Sequence, residues 1–115
     1  PVMKKVIEKI KEFEKKGIDD VQLIALVSET SAEVVFYGII DGVRYQSNNM
    51  VEEGKIESDV VDGFYDEIVE LVRADKKFDS GKMNIIMADS DRCKVNYDEK
   101  KCKTFKIIKE WEKSL

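Results

Sequence analysis

The chain holds few groups of the kind that do chemistry. Among its 115 residues there is no histidine. That removes the commonest general base, the usual partner of a Ser or Cys nucleophile and the commonest zinc ligand together. The two cysteines, Cys93 and Cys102, form neither C-x-x-C nor half of a tetrahedral ligand set, so no zinc site is expected. Both are read as free thiols of a reducing compartment. Asp89-Ser90-Asp91 has the outline of a D-x-D metal site, but two carboxylates without further ligands bind divalent ions weakly. The same residues suit a tight turn much better. The phosphate cradles G-x-x-x-x-G-K-[ST] and G-x-G-x-x-G do not occur, nor does the nucleophile elbow G-x-S-x-G. The residue types therefore predict a small acidic domain without catalytic equipment, with no catalytic residue, no cofactor and no metal.

What the sequence does concentrate is negative charge. From Glu52 to Asp75 there are nine acids against two bases, a local charge of −7 in a chain whose net charge is −4, which leaves the remainder at +3. Asp62, Asp66 and Glu70 repeat every four residues, on one line of a helix, where like charges cost about 0.2–0.5 kcal/mol per pair. A solvated face that keeps the protein soluble would account for this. So would a surface for a basic partner, because complementary charge speeds encounter and selects the partner. The candidate partner-binding residues are Glu52, Glu53, Glu57, Asp59, Asp62, Asp66 and Glu70. Lysines alternate with aromatics near the end (Phe105, Lys106, Lys109, Trp111, Lys113), but a pI near 5.0 argues against nucleic acid as a direct partner.

These residues must be carried by regular elements, and the strongest local signal is Val34 to Ser47. A β-branched and aromatic run ends at Ile40, Asp41-Gly42 follows, and an alternating run leads away. Asp-Gly is the pair that tolerates positive φ at both central positions of a two-residue hairpin turn. Before this hairpin, Met3, Val6, Ile7, Ile10 and Phe13 recur at helical spacing over residues 2–16, with Gly17 as the stop. Val21–Ser28 is apolar on both faces, as in a central strand. After the hairpin, residues 48–54 read as a loop, and Ser58 reads as the cap of a second helix that turns Val61, Phe64, Tyr65, Ile68, Leu71 and Val72 to one side. Lys82–Ala88 and Arg92–Tyr97 read as a second hairpin. A last helix, beginning between Asp98 and Thr104 with Asp98-Glu99 as a charge complement to its N-terminus, is expected to dock through Phe105, Ile108, Trp111 and Leu115. Tyr37, Tyr45, Tyr65 and Tyr97 also stand at core-compatible spacing.

The order is α-β-β-β-α-β-β-α with short strand connections, which means antiparallel pairing. The fold class is α+β: an antiparallel sheet of about five strands with helices packed against it. At 13.3 kDa the whole of residues 1–115 suits a single domain, and 43% apolar residues argue against disorder. The longest apolar run, residues 34–40, is far too short to span a bilayer, so no membrane partner is expected. The first residues alternate lysines and glutamates without an apolar core, unlike a secretory signal, and a cytoplasmic location is expected.

The stretches ALVSETSAEVVFYG, SDVVDGFYDEIVELVRADKKF and NIIMADSDRCKVNYDEKKCKTFKIIKEWEKSL stand in this order along the chain. Taken together they resemble the YezG-like immunity protein family, bacterial antitoxins of secreted polymorphic and contact-dependent nuclease toxins. The last is the most specific: Asn96-Tyr97-Asp98 stands where the family tends to close a strand with an aspartate-tyrosine motif, and Trp111-Glu112 where it has tryptophan-glutamate. The chain departs from the pattern in three places. Asp91 replaces a turn glycine, no aromatic stands near Cys93, and Ser80-Gly81 stands where a tryptophan is common. These departures leave the subfamily and the toxin open. The resemblance implies a cytosolic immunity protein that binds a cognate toxin domain, basic around a phosphate-holding active site, and covers it with an acidic surface. The alternative is a non-enzymatic module with an acidic surface that binds another protein or a small ligand.

Overall fold

The computed structural model describes residues 1–99 and 103–115. In chain order the elements are α1 (Val2–Glu14), β1 (Asp19–Val27), β2 (Ala32–Ile40), β3 (Val43–Gln46), α2 (Ser47–Glu52), α3 (Ser58–Ala74), β4 (Met83–Ala88), β5 (Cys93–Asp98) and α4 (Thr104–Lys113). The strands form one antiparallel sheet in the order β3-β2-β1-β4-β5, so the doubly apolar β1 is the central strand. This is the α+β arrangement that the pattern predicts, with one short helix added.

Strand alternation divides the apolar residues between two layers. Leu23, Ala25 and Val27 of β1, Val34 and Phe36 of β2, and Ile86 and Ala88 of β4 face α1 and α3. Ile24, Leu26, Val35, Met83 and Ile85 face the other way, against Ile108 and Trp111 of α4. The larger layer is centred on three rings. Phe13 of α1 stacks on Phe64 of α3 at 4.1 Å, and Phe36 meets both edge-on at 5.2 and 5.6 Å. Such pairs add about 0.5–1.5 kcal/mol each beyond the area they bury.

The hairpin between β2 and β3 turns as expected, with φ of 50° at Asp41 and 78° at Gly42. The other two hairpins close through short side chains. Ser28 and Ser31 bond to each other's hydroxyl and backbone, and Asp89 accepts from the N–H groups of Asp91 and Arg92 at 2.8 Å. The D-x-D segment is thus a turn in which one carboxylate is occupied by backbone donors.

Several expectations need correction. Residues 47–52 form α2 where a strand end and a loop were expected. Its Met50 is fully buried beside Gly38, where a Cβ would stand 3.1 Å from Met50 Cε and 2.5 Å from Ile18 Cγ2. Ser58 does not cap α3. Glu57 holds the extended cap conformation without a side-chain bond, and Ser58 is already helical. On α1 the buried line is Val2, Val6, Ile10 and Phe13, and Met3 is 43% exposed, because Val2 lies on the four-residue line to Val6 and Ile10. α4 starts at Thr104, at the far end of the expected interval, while Asp98 ends β5 and so does not open the helix as a charge complement. Phe105 does not dock α4. It is 74% exposed with Lys109 Nζ 5.2 Å from its ring centroid, and Ile107, Ile108, Trp111 and Leu115 make the contact. Tyr97 is 45% exposed, not core. Cys93 is a free thiol, whereas Cys102 lies outside the described residues.

Candidate protein-interaction surface

The seven candidate carboxylates are all exposed. Glu52 is the last residue of α2, Glu53 its C-cap and Glu57 the N-cap of α3. Along α3 the buried residues are Val61, Phe64, Ile68 and Val72. At 100° per residue Asp59, Asp62, Asp66 and Glu70 fall on the opposite side, so the fold brings these four together as one line facing solvent. Among the described residues none of the seven forms an ion pair. Glu67 is separated from them on the helix flank, where it meets Lys9 of α1 at 2.8 Å. That carboxylate first, and Glu12 second, raise the Lys9 ammonium above its ordinary pKa.

The base at the end of the same helix is exposed but engaged by a neighbouring turn. Arg73 donates to the Ser28 carbonyl at 3.0 and 3.2 Å and to the Ser31 carbonyl at 3.2 Å, tying α3 to the β1–β2 turn. Its guanidinium is held by these carbonyls, and among the described residues it forms no ion pair with the line of acids. What the acidic line can do chemically is attract and orient a cationic surface. Among the described residues no group of three or more His, Cys, Asp or Glu stands close enough to hold a metal ion. No helix among them is long and apolar enough to cross a membrane.

A second polar cluster, which sequence reasoning missed, lies on the α4 side of the sheet. The Tyr37 hydroxyl donates to Glu112, and Gln46 Nε2 reaches the same carboxylate oxygen at 3.5 Å. Arg44 sits 4.8 Å from the Tyr37 ring centroid and donates to Gln22 Oε1 at 3.3 Å. Burial first, and the Glu112 carboxylate second, push the Tyr37 hydroxyl up to about 12. Trp111-Glu112, singled out by motif, thus has a structural division of labour: the indole is buried and the carboxylate fastens α4 to β2 and β3. Tyr37 and Glu112 are 75 residues apart. Only their placement on the same sheet face as Arg44 and Gln46 could have signalled the contact. No protein-family model matches the chain, and no curated protein is significantly similar to it.

Proposed function

We propose that the protein is a non-catalytic binding protein of the immunity type. In this reading it neutralises a cognate secreted or contact-dependent toxin, a nuclease, by covering the toxin's basic active site with the outer face of α3 and the connection before it. The observation that carries the reading is the seven exposed carboxylates at Glu52, Glu53, Glu57, Asp59, Asp62, Asp66 and Glu70, unpaired with any described base. A helix that sets three of its acids at four-residue spacing accepts self-repulsion. A cationic partner relieves that repulsion, and a surface selected for solubility alone could have dispersed the charge. A site built to hold nucleic acid phosphates is itself cationic, so an acidic helix competes for it by the same electrostatics. The resemblance to YezG-like proteins supports the toxin as the class of partner.

The test is association with the C-terminal domain of a candidate toxin from the neighbouring genes, measured at two ionic strengths. Replacing Asp62→Asn and Asp66→Asn together should slow association severalfold and flatten its salt dependence while the fold is unchanged, since exposed charges act mainly on encounter. Unchanged rates at both ionic strengths, with cells still protected, would show that the acidic line is a solvated face and that the reading is wrong.

A further inference from the structure

The geometry points to the outer edge of β5, with the lysine-rimmed groove beside it, as a docking site for an extended acidic and apolar segment of a partner protein, added to the sheet as a further strand. This inference is independent of the acidic face of α3 and of the toxin reading. β5 ends the sheet order and pairs only with β4 among the described strands. The Asp89 N–H donates to the Arg92 carbonyl at 2.8 Å, which sets the phase of the hairpin. Alternation then makes Met87↔Lys94 and Ile85↔Asn96 the hydrogen-bonded pairs. Cys93, Val95 and Tyr97 consequently direct their N–H and C=O groups away from β4, as a template for another strand.

The side chains of the same three residues line a groove of about 860 Å³ against the start of α1 and the end of α3. Its apolar floor includes Met3, Leu71, Val95 and Tyr97, with Met3 and Tyr97 both more than 40% exposed. Its rim carries Lys5, Lys76 and Lys77 against the single acid Asp75. The Tyr97 hydroxyl donates to the Lys77 carbonyl at 3.3 Å and so holds the edge to the rim. A strand laid along β5 would gain backbone bonds from the edge and place alternate side chains in the groove, which is the division between affinity and specificity in strand addition. The charge decides the occupant. A second copy would bring three rim lysines against three, whereas an acidic segment pairs with them.

The test is an NMR titration of the isotope-labelled full chain with a capped octapeptide that alternates Glu or Asp with Val or Leu. Shifts should centre on the amides of residues 93–97. Affinity should fall at least about tenfold, or 1.4 kcal/mol, when alternate peptide amides are N-methylated, and again when Lys76→Glu and Lys77→Glu are combined. Val95→Pro should do the same without unfolding the sheet, because the N–H it removes points outward and proline is tolerated at such edge positions. No binding at millimolar peptide, equal binding by a peptide with Lys at the acidic positions, or shifts centred elsewhere would overturn the inference. So would self-association in sedimentation that Val95→Pro abolishes, since the occupant would then be a second copy.

Discussion

Trp111→Ala should be among the most damaging single substitutions, and the structure sets its size. The indole is 7% exposed and lies in the layer formed by Ile24, Leu26, Val35, Met83, Ile85 and Ile108. Its ring centroid is 6.0 Å from that of Tyr37. Ile108 is the other buried residue of α4, with Ile107 and Leu115 partly buried beside them. Truncating a buried Trp to Ala costs about 3–5 kcal/mol, a large part of the roughly 5–15 kcal/mol that holds a domain folded. With a urea m-value of about 2 kcal/mol/M, the midpoint should fall by about 1.5–2.5 M. The chain has one tryptophan, so the titration is followed by far-UV circular dichroism instead of indole fluorescence. Phe105→Ala is the paired control. That ring is 74% exposed, and its loss should change stability by no more than about 0.5 kcal/mol. A loss under about 1 kcal/mol for Trp111→Ala, or an equal loss for Phe105→Ala, would refute the assignment of α4's docking face.

Gly38→Ala places a Cβ 2.5 Å from Ile18 Cγ2 and 3.1 Å from Met50 Cε, and should cost about 1–3 kcal/mol by overpacking, read as a urea midpoint shift. Asn84 is 2% exposed, and its amide donates to the carbonyls of Val27, Asp79 and Lys82 while its carbonyl accepts from the Asp79 N–H. Asn84→Ala should therefore cost about 1–3 kcal/mol and raise hydrogen exchange at residues 79–84. Alkaline pH should weaken the fold in a defined window. Burial, then Asp89, pushes the Cys93 thiol up to about 11 from 9.0, and Tyr37 rises to about 12 from 10.0, so the unfolded chain releases these protons first. Their contribution is intact below pH 9 and is lost as pH rises to about 12. Tyr37→Phe should flatten the urea midpoint between pH 10 and 12, and an unchanged slope there would contradict the Tyr37–Glu112 contact. The same raised thiol should make Cys93 slow toward alkylating reagents at pH 8 relative to an unfolded control.

Local pattern was sufficient wherever one element's own periodicity decided its state. Val34–Ile40 could only be a strand, Asp41-Gly42 could only reverse it tightly, and the Val61, Phe64, Ile68 and Val72 spacing named the buried side of α3. The acidic line was legible for the same reason, because a helix of known phase dictates where Asp59, Asp62, Asp66 and Glu70 must face. Nothing local announced α2, since Ser-Asn-Asn-Met is a poor helix former and becomes helical where Met50 can fill the space that Gly38 leaves. Phe105 and Trp111 carry equivalent apolar signals six residues apart, and only the position of α4 over β1, β2 and β4 buried one and exposed the other. The contacts of Glu112 with Tyr37 and Gln46, the bonds of Arg73 to the Ser28 and Ser31 carbonyls and the meeting of Met3, Leu71 and Tyr97 beside the β5 edge all join residues distant in the chain. Periodicity sets the face that a residue takes on its own element, whereas what stands opposite that face depends on how the strands are ordered and the helices laid across them. That is why the charge of this protein could be read from its sequence, but its sheet edge and groove could not.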